Sequence, residues 1–354
     1  MEYMEDSMKF AVDAFGGDNA PSAIIEGCIN AMEAYSDFDV ILTGNAARIE
    51  EELKKYQYDK SRIEIVHAPD IIGCDETPTY AIKHKKESSL VKALYLVAEN
   101  KADCFISAGS SGAILAGATL IVKRIPGIKR PGLAPIIPTL KGPAILIDCG
   151  ANVDCKPEYL VQFAHMGSAY MSGVLGVENP KIGLINNGTE ENKGNELTKA
   201  VYALLSADEN INFCGNCEPR DVLKGDFHVM VCDGFVGNTI LKTAEGTVYF
   251  LLKMMKTEIK NSKPAMFGAL FSRNALHSLK KKIDYKEYGG APLLGIRKGI
   301  IKAHGSSDAK AITSAIKQAR KLILGNVTEK ITDAVGRAAK DRTAAMPETA
   351  LNNL

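Results

Sequence analysis

One local pattern occurs five times along the chain: an apolar, strand-like run ends in a glycine-rich polar turn, and a helical pattern follows at once. Glycine allows left-handed backbone angles and close approach of a ligand. A helix that begins there points unpaired N–H groups outward, which suits an anion. One such turn has a purely geometric explanation, whereas several predict a parallel sheet whose carboxyl edge forms an anion-binding cleft. The five turns are 108–112, 149–152, 187–194, 233–238 and 304–307.

The order of the predicted elements is that of an α/β protein. Strand-like and helical segments alternate along the chain, which predicts a doubly wound, three-layer α/β/α fold with a largely parallel sheet. Strands are predicted at 9–13, 40–42, 63–66, 104–107, 144–147, 182–185, 229–232 and 300–302. Helices are predicted at 23–34, 45–57, 88–100, 112–123, 157–174, 194–206 and 307–324, the first of them opened by Pro21.

Composition excludes several classes of protein. A formal net charge of +1 over 354 residues gives no overall attraction to nucleic acid, so no nucleic-acid partner is expected. No apolar run reaches the roughly 18 residues that span a bilayer. The eight cysteines are dispersed, and the single CxxC at Cys214 and Cys217 lacks a second ligand pair for zinc. No metal site is predicted.

Domain limits follow from the same reading. Residues 1–7 are acidic and lack a signal-peptide core, so a disordered extension is expected there, and the fold is expected to begin at Met8. Residues 8–330 are interpreted as a single α/β/α domain that includes a helical hairpin at about 239–285. A terminal helix and a disordered tail are expected over 331–354.

The hairpin segment interrupts the alternation of strands and helices. A helical pattern runs from Asn238 to Lys260, Pro264 is expected to end it, and an apolar run follows at 265–271. Residues 250–290 hold nine Lys/Arg and three Asp/Glu. The apolar face could pack on a second subunit, and a basic amphipathic tip at 262–275 could rest on anionic lipid. The two interpretations are compatible, and both are retained.

Two of the glycine turns carry polar groups suited to an oxyanion. The turn from Asn187 to Gly194 offers backbone N–H groups, amides and the cation Lys193. The alternative is a solvated loop that simply caps the following helix. In the later turn, Asn238 and Lys242 are one helical turn apart and share a face. A lysine near the positive end of a helix dipole is unfavourable unless an anion lies nearby, which favours a functional role.

Two further features carry charge or a titratable ring. The basic run from Lys83 to Lys86 is predicted to open a helix, either as a phosphate site or as a solvated face. His304 directly follows a strand, a position suited to acid–base chemistry or to capping a loop. The chain has no G-x-S-x-G elbow, Walker loop, HExxH or G-x-G-x-x-G fingerprint, which argues against hydrolases, P-loop NTPases and standard dehydrogenases.

Read in order, these motifs resemble those of the bacterial phosphate acyltransferases of the PlsX type. The resemblance covers about residues 8–325. Phe15 stands where the family usually has Met, Ser110-Ser111 where it has Asn-Thr, and Lys83 where Arg is common. The motifs are Asp13–Asp18, Ser107–Ala113, Asp148–Pro157, Asn187–Gly194, Cys232–Asn238, Tyr288–Gly295 and His304-Gly305.

The resemblance implies transfer of a long-chain fatty acyl group from acyl carrier protein to inorganic phosphate, without a cofactor, for phospholipid synthesis. It implies a fold similar to phosphotransacetylases and isocitrate-type dehydrogenases, a protruding hairpin and a homodimer. It also implies a cytoplasmic protein with peripheral contact to the inner face of the membrane, linked functionally to a membrane glycerol-3-phosphate acyltransferase. The basic stretch 253–282 is then a candidate docking surface for the acidic carrier protein.

Roles for individual residues follow from the resemblance and from the chemistry of thioester attack. Lys193 and Asn187 are expected to stabilise the oxyanion, and Asn238, Lys242 and His304 to position phosphate or assist the thiolate. Phosphate or substrate contacts, or loop orientation, are expected of Asp13, Gly16, Gly17, Asp18, Lys85, Lys86, Ser107, Gly109, Ser110, Gly112, Asn152, Asp233 and Gly234.

Three alternatives remain at this point. A phosphotransacetylase-like enzyme would use coenzyme A thioesters and share the phosphate chemistry. A nicotinamide-dependent dehydrogenase would need a nucleotide fingerprint that the chain lacks. A membrane-recruited scaffold for lipid synthesis would not need the intact turns at 187–194 and 233–238.

Overall fold

The computed structural model describes residues 7–283 and 289–344. The strands are β1 (Met8–Asp13), β2 (Phe38–Gly44), β3 (Ile63–His67), β4 (Cys104–Ser107), β5 (Gly132–Leu133), β6 (Ile136–Thr139), β7 (Gly142–Ile147), β8 (Lys181–Ile185), β9 (Asn212–Cys217), β10 (Val229–Val231), β11 (Gly290–Leu294) and β12 (Gly299–Ala303). The helices are α1 (Ser22–Ala34), α2 (Ala46–Leu53), α3 (Pro78–His84), α4 (Ser89–Ala98), α5 (Ser111–Gly117), α6 (Pro157–Leu175), α7 (Glu196–Ser206), α8 (Gly234–Asn261), α9 (Lys263–Phe271), α10 (Arg273–Ile283), α11 (Ala309–Leu324) and α12 (Val327–Ala344).

The strands form two sheets. The larger has the order β3-β2-β1-β4-β12-β11-β5, and its strands from β3 to β12 are parallel. β11 runs antiparallel to both of its neighbours, β12 and β5. In the register, Phe105 lies opposite Ala11 on one side and Ile300 on the other. The loops that follow β1, β4 and β12 therefore leave the sheet at one edge.

The smaller sheet has the order β6-β7-β10-β8-β9, and only the edge strand β6 is antiparallel. Met230 of β10 lies between Leu146 of β7 and Gly183 of β8. The turns after β7, β8 and β10 therefore share the carboxyl edge of this sheet, as the sequence predicted for its glycine turns.

One apolar cluster joins the two sheets. It includes Phe10 and Ile301 from the larger sheet, Ile145 from the smaller sheet, and Phe163 and Ile316 from α6 and α11. All five are essentially inaccessible to solvent. Strands such as β4 and β10 are buried along their whole length, which is why they read as continuous apolar runs rather than as alternating ones. The predicted α/β/α fold class is confirmed.

Each strand predicted from the sequence is present, but the described residues also contain four strands and one helix, α3, that were not predicted. β5 has only two residues, and β6 and β11 each contain proline, which is depleted in strand interiors. β9 is rich in polar residues and glycine, and it lies at a sheet edge. Their pairing is decided by the partner strands, a property that local pattern does not carry.

The prediction that the run from Lys83 to Lys86 opens a helix is wrong. Lys83 and His84 form the last turn of α3, where positive charge complements the helix dipole. α4 begins only at Ser89, and the Ser88 hydroxyl caps it by accepting the Val91 N–H at 3.4 Å. The electrostatic reason for expecting a phosphate at this run is therefore absent.

The hairpin projects as α8, α9 and α10. Ser262 separates α8 from α9 and caps the second helix through its hydroxyl, so Pro264 lies in the first turn of α9 rather than ending α8. Phe267 and Phe271 near the tip are 70% and 87% exposed in the single chain. Residues 284 and 285, the last two of the predicted hairpin, lie outside the described residues.

The structure describes only part of the two terminal segments for which predictions were made. β1 begins at Met8 as expected, whereas the extension before residue 7 and the tail after residue 344 lie outside the described residues. The terminal helix α12 begins at Val327, and Val327 and Ile331 are buried in the main cluster. Among the helices that the structure describes, none combines the length and hydrophobicity needed to cross a bilayer.

Candidate active site

A cavity of about 300 Å³ lies where the carboxyl edges of the two sheets meet. Both sheets, α5 and α8 contribute to its walls, so the tertiary fold and not any one motif creates it. One part of the wall is polar and the other apolar. The lining residues are Ser111, Leu133, Pro135, Ile136, Cys149, Gly150, Asn238, Leu241, Lys242, Glu245, Gly289, Gly290, Ala291, Lys302 and His304.

The polar wall is built from α8 and from the end of β12. Lys242 Nζ lies 2.7 Å from Glu245 Oε2 and 3.5 Å from His304 Nε2. The His304 ring is held from its other side, because the Ser306 main-chain N–H donates to Nδ1 at 3.2 Å. The predicted pairing of Asn238 and Lys242 on one helix face is confirmed, since both line this cavity.

Lys302 is a partly buried cation on this wall. It lies near the carboxyl end of β12, and its ammonium donates to the Ala303 carbonyl oxygen at 2.8 Å. Burial, together with the nearby charge of Lys242, lowers the pKa of Lys302 from 10.5 to about 8. Partial burial of the ring, together with the charges of Lys242 and Lys302, lowers the pKa of His304 below its usual 6.5, so this imidazole is predominantly neutral at pH 7.

α8 is placed against the cavity by a close backbone fit at its first turn. Asp233 caps the helix by accepting the Val236 N–H at 2.9 Å. A Cβ at Gly234 would lie 2.6 Å from the Asn152 carbonyl oxygen, and one at Gly237 would lie 2.0 Å from the Asp148 carbonyl oxygen. These contacts require glycine at both positions, and they fix how α8 presents Asn238 and Lys242.

Asp148 holds the turn after β7. Its buried carboxylate accepts main-chain N–H groups of Leu133 at 2.9 Å, Ala151 at 3.2 Å and Asn152 at 2.6 Å. The Asn152 side chain donates to Asp148 Oδ2 and to the Pro131 carbonyl oxygen. Asp148 and Asn152 therefore position the loop. Gly150, between them in sequence, has φ +104° and lines the cavity.

A second buried carboxylate holds the turn after β4. The Ser107 hydroxyl donates to Asp13 Oδ2 at 2.7 Å and accepts the Gly109 N–H at 2.9 Å. Burial raises the pKa of Asp13 above its ordinary value. A Cβ at Gly16 would lie 2.7 Å from atoms of Asp13, Ser107 and Gly109, so glycine is required there. This cluster orients the loop that presents Ser111 to the cavity.

The loops after β1 and β12 are joined directly. The Asp18 N–H donates to the Gly305 carbonyl oxygen at 2.8 Å, and the Asn19 amide donates to the carbonyl oxygens of Ser306 and Ser307. Gly17, with φ +95°, leaves room for the Gly305 carbonyl at this junction. The predicted residues Gly17 and Asp18 thus support the segment that carries His304.

The remaining predicted residues of the turn after β4 have structural positions. Ser110 Oγ accepts the Ala113 N–H at 3.5 Å and caps α5. A Cβ at Gly112 would lie 2.6 Å from the Pro78 ring, so glycine allows α3 to pack there. The cavity itself is lined by the neighbouring Ser111, which the prediction did not include among the site residues.

The structure does not bring Asn187, Lys193, Lys85 or Lys86 to the cavity lining. Lys193 is about half exposed, and its ammonium lies 3.8 Å from Glu190. Lys85 donates to Glu76 at 2.8 Å and to the Ile71 carbonyl oxygen at 3.0 Å, which ties together the loop after β3. The roles predicted for these four residues stay predictions.

The apolar wall was not predicted. It comprises Leu133, Pro135 and Ile136 around the start of β6, together with Leu241 and Ala291. Cys149 also reaches the cavity, but burial raises the pKa of its thiol well above the ordinary value, so it is not a thiolate nucleophile at neutral pH. An acyl chain is the kind of ligand that apolar side chains beside a cationic wall can bind.

Sequence reasoning also missed Lys302 and the function of Glu245. The local signal of Lys302 is weak, because the end of a strand does not reveal which face is buried. A lysine inside an otherwise apolar strand is the feature that could have identified it. Within the described residues no cluster of metal-ligating side chains occurs.

Comparison with known proteins finds relatives that match most of the chain. The model of a family described as "Fatty acid synthesis protein" matches residues 8–330. A phosphate acyltransferase from Clostridium perfringens strain SM101 is 54% identical over 329 residues, covering 92% of this chain and 97% of its own. A phosphate acyltransferase from Clostridium acetobutylicum is 53% identical over 325 residues, covering 92% and 98%.

Solved structures show the same fold at low sequence identity. A phosphotransacetylase from Streptococcus pyogenes aligns with a TM-score of 0.56 at 17% identity, covering 90% of this chain and 95% of its own. The EutD phosphotransacetylase from Staphylococcus aureus gives 0.54 at 16% identity, covering 89% and 94%. With the family match over residues 8–330 and the relatives above 50% identity, the chain belongs to the PlsX-type phosphate acyltransferase family, a family of transferases.

Proposed function

We propose that this protein transfers a long-chain fatty acyl group from acyl carrier protein to inorganic phosphate and releases acyl phosphate for phospholipid synthesis. The observation that carries the proposal is the two-sided cavity, in which Lys242, Lys302 and His304 face an apolar wall. This combination accommodates an anionic nucleophile and an acyl chain together. The family's relatives, named phosphate acyltransferases, support the same chemistry.

The reaction needs little from the protein beyond position and charge. Phosphate near neutral pH is already an anionic nucleophile, so a strong base is not required. One phosphate oxygen attacks the thioester carbonyl, the C–O bond forms, and the C–S bond breaks as the tetrahedral intermediate collapses. The proton of hydrogen phosphate ends on the thiol, so hydrogen phosphate and thioester give acyl phosphate and free thiol.

Lys242 and His304 are suited to hold phosphate at the mouth of the cavity. The Lys242 ammonium supplies charge, and the neutral His304 ring, 3.5 Å away, supplies a hydrogen-bonding edge. Glu245 holds the ammonium in place at 2.7 Å. Preorganised donors of this kind typically lower an activation barrier by about 3–4 kcal/mol each when they face the developing oxyanion. The Asn238 amide, on the same wall, is a further donor.

The apolar wall is suited to hold the first carbons of the acyl chain. Leu133, Ile136 and Leu241 provide aliphatic surface next to the polar groups. Burial of apolar surface contributes roughly 25 cal/mol per Å², so even a short stretch of chain adds substantially to binding. The thioester would then lie between this wall and the cations.

The hairpin supports the proposed homodimer and peripheral membrane contact. Tyr249, Phe250 and Leu251 on the shaft of α8 are each more than half exposed in the single chain, as are Phe267 and Phe271 near the tip. Exposed apolar residues at this density favour a covered surface. The shafts would pack on a second subunit while the tip at 262–275 contacts anionic lipid, close to the membrane acyltransferase that would consume acyl phosphate.

The test is acyl-phosphate formation from palmitoyl-acyl carrier protein and inorganic phosphate, with palmitoyl-coenzyme A in parallel. Phosphate-dependent product, formed preferentially from the carrier substrate, is expected. Product from coenzyme A alone would assign the protein to phosphotransacetylase-like chemistry. No product from either donor would favour the scaffold alternative. Liposome flotation with and without residues 262–275 tests the membrane contact separately.

Docking of the carrier protein is tested by salt. The lysines of α8 and α10 make the hairpin basic, and the carrier in this family is acidic, so activity with the carrier substrate is expected to fall as ionic strength rises. Activity with palmitoyl-coenzyme A serves as the comparison. A carrier reaction no more salt-sensitive than the coenzyme A reaction would argue against electrostatic docking on the hairpin.

A further inference from the structure

Lys302 is distinguished from the other cations of the cavity by its lower exposure. The Lys242 side chain is about half exposed and His304 is exposed, whereas Lys302, on strand β12, is partly buried and also lines the cavity. A buried ammonium is costly unless it is paired with a carboxylate. A group placed in this way at a cavity wall therefore invites a functional explanation.

The charges that face Lys302 do not neutralise it. Lys242 and Glu245 approach from α8, and Cys74 approaches from the loop after β3. Glu245 makes its short contact with Lys242, and within the described residues no carboxylate forms an ion pair with Lys302. The hydrogen bond to the Ala303 carbonyl uses one of three N–H groups and leaves donors for the cavity.

We propose that Lys302 is a catalytic residue that donates a proton to the sulfur of the departing thiolate. The inference rests on the proposed function and assigns within it the group that passes a proton to the leaving sulfur. Lys242 and His304 are the more exposed groups of this wall, and we assign them to the phosphate ion that arrives from solvent. The less exposed ammonium of Lys302 lines the same cavity as the apolar wall that would hold the acyl chain of the thioester.

The proton balance closes without an external reagent. As the C–S bond breaks, its electron pair stays on sulfur and takes a proton from Lys302 Nζ, which leaves a neutral amine. The phosphate O–H, which becomes acidic when its phosphate is acylated, returns that proton to the amine. Lys302 is therefore unchanged over one turnover, and the thiol and acyl phosphate leave as products.

The acidity of Lys302 matches this task. A pKa of about 8 lies close to that of an alkyl thiol, about 8.5, whereas an ordinary lysine at about 10.4 would be a poorer acid. General acids of matched acidity typically contribute about 10²- to 10⁴-fold in rate. Since only the ammonium form can donate, turnover is expected to fall as pH rises through about 8.

The experiment compares wild type, Lys302→Met, Lys302→Arg and the control Lys298→Met, which lies just before the amino end of the same strand. Acyl-phosphate formation from palmitoyl-acyl carrier protein is measured with varied phosphate, from about pH 6 to about pH 10. Lys302→Met is expected to lower kcat by about 100-fold or more with little change in the KM for phosphate, and to lose the fall in rate near pH 8.

Lys302→Arg separates proton donation from charge. Arginine keeps the positive charge but does not release a proton near neutral pH, so this variant is expected to be as slow as Lys302→Met. Lys298→Met is expected to match wild type.

Two results would overturn the inference while leaving the proposed function intact: kcat of Lys302→Met near that of wild type, whether or not the KM for phosphate is raised, or restored kcat in Lys302→Arg. If wild type itself forms no acyl phosphate, the proposed function fails instead. The two failures are therefore distinguishable by the wild-type reaction alone.

Discussion

Replacing Lys302 with methionine is expected to stabilise the folded protein at pH 7. Methionine fills nearly the same volume as the lysine stem but carries no charge to be buried. The pKa of Lys302 falls from 10.5 to about 8 because the folded environment disfavours the ammonium, chiefly through burial. The charged side chain therefore costs the folded state free energy that the substitution removes.

The magnitude follows from that pKa. At about 1.4 kcal/mol per pH unit, a fall from 10.5 to about 8 corresponds to about 3 kcal/mol of destabilisation. Loss of the hydrogen bond to the Ala303 carbonyl offsets about 1 kcal/mol. A net gain of about 2 kcal/mol in the free energy of unfolding is thus expected at pH 7.

The stability difference between Lys302→Met and wild type is expected to depend on pH. The folded pKa lies below the unfolded one, so between about 8 and 10.5 the unfolded chain binds more protons and wild type gains stability as pH rises. The advantage of Lys302→Met is therefore complete below about pH 8 and disappears as pH approaches 10.5.

The assay is urea unfolding in phosphate-free buffer at about pH 7 and about pH 10. Circular dichroism is the appropriate signal because the chain has no tryptophan. Lys298→Met is the matched control and is expected to change stability little at either pH. The reasoning is refuted if Lys302→Met is no more stable than wild type at pH 7, or if its advantage is the same at both pH values.

Three other substitutions test separate parts of the structure. Gly237→Ala would place a Cβ 2.0 Å from the Asp148 carbonyl oxygen. The substitution is expected to lower the free energy of unfolding in urea by about 1–3 kcal/mol and to reduce kcat by displacing α8. Unchanged stability and kcat would contradict the close fit. Arg320→Ala removes a bidentate pair with Asp37, whose pKa the guanidinium holds below its ordinary 3.8. At most about 1 kcal/mol should be lost near pH 7, and less as pH falls below 3.8 and through the lowered pKa of Asp37; a loss that does not shrink in acid would exclude the pair as its source. Lys193→Ala is expected to cut turnover severely with an intact fold, and near-wild-type turnover would remove Lys193 from the site.

Some of the candidate site was predictable because its parts are local. Asn238 and Lys242 share a helix face by virtue of their spacing, and His304 follows a strand whose apolar run is evident. Asp233 was recognisable as part of a turn, and it caps α8. Each of these inferences needs only the geometry of one element.

Other parts depended on which loops meet. Asp13 and Ser107 are far apart in sequence, yet their side chains bond at 2.7 Å because β1 and β4 are neighbouring parallel strands. Lys85 was predicted at a phosphate site on charge alone, but Glu76 lies within 2.8 Å of its ammonium. Without strand order and loop path, a cation at a site cannot be told from a cation in an ion pair.

The amino-acid sequence alone determined the fold class, the family and the glycine turns, since these depend on hydrophobic periodicity and on short motifs. Only the tertiary structure decided where the cavity lies, because its walls come from two sheets and α8. It also decided the acidity of the Lys302 ammonium. The acidity of an amine is set by burial and by neighbouring charge, and both arise only when distant segments pack around it.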